Sequence, residues 1–305
     1  MKKKILFGTL GIIGILFILG QIPKAEEQQI DQSSQTVSQL YGTERAVEIL
    51  GYDGVAMEPF ISRDGKFLFF NSLNDAKDTS IYFAERVDED TFRLVGKVPG
   101  VNGTPPHLDA VPSMDQEGRF YFVSIRDYPD SFENFQSGQW GDGGVTGVKS
   151  VSGDIYIRKP GWLMMDAEIS PNGKDLYYVA ADFSKGGALP TQAIIALAHR
   201  TESGFERDKR SEEFFASVNS AAPTYAPSIS DDGLELFFTQ LQGKKTTIFI
   251  TRRGSVDEPF GIPELVSITG DLPEGPSVTL DKKHLYYHKK VGRGYGIFVM
   301  TRTGE

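Results

Sequence analysis

The chain contains no cysteine. Disulfides, thiolate catalysis, cysteine-ligated zinc and lipidation of an N-terminal cysteine are therefore excluded, and strand pairing and hydrophobic burial must hold the fold. Histidine is scarce as well. His107, His199, His284 and His288 are spread along the chain without metal-ligand spacing. There is no Gly-x-Ser-x-Gly nucleophile elbow. The run Gly141-Asp142-Gly143-Gly144 lacks the lysine and the following helix of a phosphate-binding loop. Long helical periodicity is missing beyond the first two dozen residues. Positive charge is in deficit, with 32 Lys and Arg against 41 Asp and Glu for a net charge of −9. That balance speaks against nucleic acid or anionic lipid as a partner.

What is present begins with a targeting segment. Lys2, Lys3 and Lys4 precede an apolar stretch from Ile5 to Gly20, so residues 1–25 read as a signal peptide or signal anchor. The stretch is slightly short for a membrane span. Pro23-Lys24-Ala25 ends on a small residue but does not settle cleavage, so removal and retention both stay open. Either outcome places the rest of the chain outside the cytoplasm: periplasmic, secreted or held at the outer face of the membrane, with the N-terminal segment as the only membrane contact. Residues 26–39, rich in Gln, Ser and Glu, cannot bury enough apolar surface to offset ordering and read as a flexible linker.

Residues 40–305 carry a pattern that returns five times: EPFISRDGKFLFF from Glu58, VPSMDQEGRFYFV from Val111, AEISPNGKDLYYV from Ala167, APSISDDGLELFFT from Ala226 and GPSVTLDKKHLYYH from Gly275. Each is a short alternating run, a tight turn and a run rich in Phe, Tyr and Leu. Asp-Gly, Glu-Gly or Asn-Gly makes the first four turns, and such pairs tolerate positive φ. Lys282 stands where the fifth glycine should be, which predicts a strained turn or another type. The turn positions 65, 118, 173, 233 and 282 recur at about 50–60 residues, the spacing of propeller blades with loop insertions.

Third strands are expected at 81–84, 155–157, 194–197, 248–251 and 297–300. Arg86, Arg200, Arg253 and Arg302 follow four of them as solvated strand ends. Fourth strands are expected at 92–98, 205–218 and 260–268, with a short one at 162–165. The last blade lacks a fourth strand, and residues 45–51 can supply it from the other end. The fold class is therefore all-β, a five-bladed β-propeller closed by the N-terminal strand.

The pattern Pro-x-x-Ser-x-Asp-Gly-Lys-x-Leu-Tyr-Phe, clearest at Glu58–Phe70, Ala167–Val179 and Ala226–Phe238, resembles the WD40-like (PD40) repeat of TolB-type propellers. GDIYIR and YGIFVMTR resemble the strand that follows it. The resemblance covers residues 45–305 and implies a bacterial envelope or extracellular propeller, often a platform for proteins or glycans. Its departures are the fifth turn and Glu168, read as replacing the repeat's proline.

In a propeller the first strand of each blade lines the central channel. Glu58, Asp109, Asp166, Glu168, Tyr225 and Glu274 are then expected to converge on one opening, as a solvated acidic rim or as a site for a cation, an amine or a sugar. Residues 126–153 read as a long insertion whose Tyr128, Phe132, Phe135 and Trp140, with Arg126 at its start, offer aromatic and polar contacts to a ligand, or cover one mouth of the ring. The leading expectation is a non-catalytic scaffold that binds protein or carbohydrate and needs no cofactor, with room for a cation in the acidic funnel. The alternative is a five-bladed glycoside hydrolase using Asp109, Asp166 and Glu168. A lactonase-like metal site in the channel is a third reading.

Overall fold

A computed structural model describes residues 36–38, 40–187 and 189–303, and the leader lies outside them. The described residues form five sheets arranged as the blades of a propeller. From the axis outward, blade 1 runs Met57–Ile61, Phe67–Asn71, Ile81–Arg86 and Thr91–Lys97. Blade 2 runs His107–Met114, Arg119–Ser124, Phe135–Gly141 and Gly144–Ser150. Blade 3 runs Trp162–Ile169, Asp175–Asp182, Gln192–Thr201 and Gly204–Arg207. Blade 4 runs Thr224–Ile229, Glu235–Gln242, Lys245–Arg252 and Glu264–Val266. Blade 5 runs Glu274–Val278, His284–Val291 and Gly294–Arg302, and takes Tyr41–Ala46 as its outer strand. No helix among these residues is long and apolar enough to cross a membrane.

The second strand of each blade is apolar along most of its length because neighbouring blades cover both of its faces. Successive residues point to opposite seams. Phe69 thus faces blade 2 while Leu68 and Phe70 face blade 5, and Tyr177 faces blade 4 while Tyr178 faces blade 2. The apolar interior is accordingly five clusters, one in each seam, including the seam between blades 5 and 1.

Ring closure follows the expected logic with a shifted boundary. Ala46 lies opposite Phe298 and Arg45 opposite Val299, but the closing strand begins at Tyr41 and ends at Ala46. Glu48–Leu50 crosses to blade 1 and pairs parallel with Thr91–Arg93. Val37 and Ser38, placed in the linker by composition, pair parallel with Leu265 and Val266 of blade 4. The N-terminal segment therefore stitches blades 4, 5 and 1 in succession.

Blade 2 departs most from expectation. Its third and fourth strands are Phe135–Gly141 and Gly144–Ser150, both inside the segment read as an insertion. Ile155 and Tyr156 instead pack in the seam with blade 3, after Gly153 and Asp154 pair with its outer strand. Trp162–Met165 begins the inner strand of blade 3 and is not a fourth strand. Gly and Gln interrupt the blade 2 hairpin, and that hid its period from a search for aliphatic runs. In blade 3 the outer strand stops at Arg207, and a short helix, Ser211–Phe214, follows.

The fifth turn is not of another type. Gly65, Gly118, Gly173 and Gly233 have φ of 72°, 79°, 71° and 70°, and Lys282 has 59°. The Thr279 hydroxyl donates to Asp281 at 2.7 Å, as Ser62 does to Asp64 in blade 1. Lys282 ion-pairs with Asp232 of the preceding blade.

The four strand-end arginines are also more than solvated ends. Arg86, Arg200 and Arg253 each donate to the carbonyl of their own blade's turn glycine and to a tyrosine hydroxyl of the preceding blade: Tyr286, Tyr121 and Tyr177. Arg302 makes a bidentate pair with Glu235 of blade 4 at 2.8 and 2.9 Å.

Candidate functional site: the axial channel

All five inner strands break register with their neighbours at the same place. The residues there, Glu58, Val111, Asp166, Ala226 and Gly275, have φ of 49°, 53°, 53°, 50° and 62°. Such a bulge re-aims a side chain, and these five all line the axial channel. Only Gly275 adopts this backbone without steric cost. The repeat therefore builds a ring of five inward positions, two of which carry carboxyls.

The next residue is Pro59, Pro112, Ala167, Pro227 or Pro276, so Ala167 holds the proline's place in blade 3. Glu168 is one position further on and aligns with Phe60, Ser113, Ser228 and Ser277; the earlier alignment of Glu168 with the prolines is corrected by one residue. These positions tie blade to blade. Ile169 N donates to Ser113 Oγ at 3.1 Å, Ile229 N to Glu168 Oε1 at 3.3 Å, Val278 N to Ser228 Oγ at 3.0 Å and Ile61 N to Ser277 Oγ at 3.3 Å. Glu168 also accepts from Ser113 Oγ at 2.7 Å and from Arg63 at 3.2 Å. Arg63 reaches the Met114 and Ile169 carbonyls as well. Glu168 and Arg63 are both buried, and together they bridge blades 1 to 4.

Glu168 still borders the channel, whereas Asp109, Arg126 and the aromatics of residues 126–153 are not among the residues that line it. Asp109 is fully buried in blade 2, where it accepts from Gly103 N at 2.7 Å and from Arg126 at 2.6 Å. Arg126 also donates to the Val101 carbonyl. Tyr128 donates to the Trp162 carbonyl at 2.8 Å, tying blade 2 to blade 3. Trp140 packs edge-on against Phe69 and Phe83 in the seam between blades 1 and 2, at centroid distances of 4.9 and 5.2 Å. Phe132 sits edge-on to Tyr128, and Phe135 is buried in the seam with blade 3.

The structure does bring together Glu58, Asp166, Tyr225 and Glu274, and it adds His288. Asp166 Oδ2 accepts from Ala226 N at 3.0 Å. Glu58, half-buried at the channel, faces Asn74 at 3.5 Å. Glu274 lies opposite His288 in the sheet, so both side chains share a face. Glu58, Glu274 and His288 each place a potential ligand atom within 4.8 Å of the others. The Glu58 backbone N–H donates to His288 Nδ1 at 3.1 Å. The neutral ring therefore carries its proton on Nε2, which lies 3.9 Å from Glu274 Oε2. Among the described residues, neither His288 Nε2 nor Glu274 Oε1 has a hydrogen-bond partner. Histidine reasoning passed over His288 because spacing along the chain does not reveal a partner in the neighbouring strand.

Burial dominates the electrostatics. It lifts the Glu58 carboxyl well above the usual range, and the nearby Asp166 and Glu274 charges add to this. Burial brings Asp166 to about 6 against the Ala226 amide, and Glu274 to about 8 against the neighbouring Tyr225 and Thr246 hydroxyls. It holds His288 down at about 3. The Tyr225 phenol is pushed up by burial and then by Glu274, Glu58 and Asp166. Among the described residues, no lysine or arginine lines the channel.

No family model and no curated protein matches the sequence. Solved structures do match. TolB from Acinetobacter baumannii shares 18% identity over 83% of this chain and 55% of its own, at a TM-score of 0.46, so the chain spans about half the length of that neighbour. Zg3597, a family 117 glycoside hydrolase from Zobellia galactanivorans, shares 13% identity over 86% of this chain and 90% of its own, at 0.56. The gluconolactonase XC5397 from Xanthomonas campestris shares 12% over 87% and 91%, at 0.50. At these identities the likeness is one of fold: the chain is an all-β, five-bladed propeller.

Proposed function

We propose that this protein is a non-catalytic, extracytoplasmic propeller of the PD40 kind that binds a protein or glycan at the acidic mouth of its channel. The lysine-led apolar leader supports export. One observation carries the non-catalytic reading: two of the three carboxyls a hydrolase was expected to use are committed to the frame. Glu168 is held by Ser113, Arg63 and the Ile229 amide, and Asp109 by Arg126 and the Gly103 amide. A glycosidase needs two carboxyls free to face the scissile bond from opposite sides.

Glycoside hydrolysis is the second reading. The shared architecture with Zg3597 favours it, as do Glu58 and Asp166, which open on the same channel. The discriminating experiment assays the purified chain with aryl glycosides and oligosaccharides of arabinose, galactose and xylose, alongside a glycan array and capture of envelope proteins. Binding without turnover is expected. Turnover that disappears in Asp166→Asn overturns the scaffold reading.

A further inference from the structure

We infer that a hard divalent cation of the Ca2+ or Mn2+ kind binds at the channel through the carboxylates of Glu58, Asp166 and Glu274, with His288 as the residue that positions Glu274. This goes beyond the proposed function and does not depend on which macromolecule the ring binds.

The inference starts from placement. Glu58 and Asp166 line the channel, where no lysine or arginine of the described residues joins them, and Glu274 on the inner strand of blade 5 brings a carboxylate oxygen within 4.8 Å of one of Glu58. Convergent carboxylates do not suffice, and the second observation is the pair of stranded atoms beside them. Glu274 is 3% exposed and His288 0% exposed, and among the described residues neither Glu274 Oε1 nor His288 Nε2 has a hydrogen-bond partner. Buried polar atoms are almost always satisfied, so two in contact side chains point to a missing occupant. A cation on Glu274 Oε1 meets the first need. Rotation of the same carboxylate onto His288 Nε2–H, now 3.9 Å from Oε2, meets the second.

The tautomer decides the chemistry. Because the Glu58 amide occupies Nδ1, His288 has no free lone pair and acts as a donor to a ligating carboxylate, the outer-shell arrangement common at metal sites. The donors left are oxygens, and oxygen sets suit Ca2+, Mg2+ and Mn2+ better than Zn2+. The site joins three blades, so an ion there also fixes their separation at the axis.

The test uses the full chain freed of metal with EDTA. Calorimetric titration with Ca2+, and separately with Mn2+, is expected to show one site per chain with a Kd of about 10⁻³ M or tighter, as in extracellular modules. The melting temperature should rise on addition of either ion. Glu58→Gln and Glu274→Gln are each expected to weaken binding at least tenfold. His288→Gln, which keeps a side-chain N–H donor, should weaken it less than His288→Ala. Tb3+ gives an independent reading, since emission sensitised through Tyr225 should appear on binding, fall with Ca2+ and fade in Tyr225→Phe. Absence of saturable Ca2+ and Mn2+ binding overturns the inference. So does binding unchanged in both glutamate variants, or binding of Zn2+ alone, which would make His288 a ligand. Variants that fail to fold are recognised by circular dichroism, and the Ca2+, Mn2+ and Tb3+ titrations of the unaltered chain then decide.

Discussion

Ala46 and Phe298 face each other across antiparallel strands, although almost the whole chain separates them. Their pairing is the outer edge of blade 5, and the Val47 amide continues it to the Ile297 carbonyl at 2.9 Å. Without this strand, Gly294–Arg302 becomes an unpaired edge and the seam between blades 4 and 5 loses Leu40 and Tyr41, which pack on it. Deleting residues 36–47 is expected to abolish the single cooperative transition in thermal or urea unfolding followed by circular dichroism. A sharp transition at an unaltered midpoint would show that the closing strand is dispensable.

Glu168 and Arg63 form a buried pair at 3.2 Å. Removing one partner strands the other charge, which typically costs about 3–5 kcal/mol, while replacing both with apolar residues costs much less. Glu168→Ala should therefore destabilise the ring strongly, and the double variant Arg63→Met/Glu168→Met should recover part of the loss. Urea unfolding of the four proteins measures the coupling. A purely additive result would mean that Glu168 acts in something other than the frame.

The ring was legible in the sequence because its turns are chemically explicit: a Ser, Thr or Asp, then Asp, Asn or Glu, then a residue at positive φ. Lys282 shows that register survives the loss of the glycine, since the Thr279 and Asp281 side chains keep the turn. Blade 2 was misread because its outer hairpin contains Gly138, Gly141 and Gly144 in place of an aliphatic run. Glu58 and Asp166 could be placed at the channel from the sequence because the starts of the inner strands face the axis, and Glu274 lies beside Glu58. Asp109 and Glu168 each lie two residues from a bulged position, Val111 and Asp166; Asp109 is outside the channel lining, while Glu168 borders the channel with its carboxylate already engaged. Sequence alternation does not count the extra residue of a bulge, so it could not show that Glu168, beside the channel, spends its carboxylate on Ser113, Arg63 and the Ile229 amide.

Trp140 tests the corrected reading of the insertion. It is partly exposed and packs onto the seam between blades 1 and 2 against Phe67, Phe69 and Phe83. Trp140→Ala is expected to cost about 3 kcal/mol of stability, the low end of the range for truncating a packed aromatic, because the ring is only partly buried. Urea unfolding reads that loss, and affinity for any ligand of the channel should be unaffected. An unchanged midpoint together with lost affinity would return Trp140 to the ligand face.

Glu274 sets the expected pH response of the metal-free ring. Burial raises its folded-state value from 4.5 to about 8, and Asp166 pushes the same way while Tyr225 and Thr246 oppose it. The other groups facing it are Glu58, His288 and Tyr295. The folded ring therefore keeps a proton that the unfolded chain gives up near pH 4.5. The stability this confers is complete below about pH 4.5 and is lost as pH rises to about 8. Glu274→Gln cannot ionise, so in EDTA it should flatten the decline in melting temperature across that window and be the more stable protein at pH 8–9. A decline of equal steepness in the variant would place the titrating group elsewhere. The substitution that stabilises the ring is also one that removes a carboxylate from the channel, so stability and the chemistry of the site pull in opposite directions at this residue.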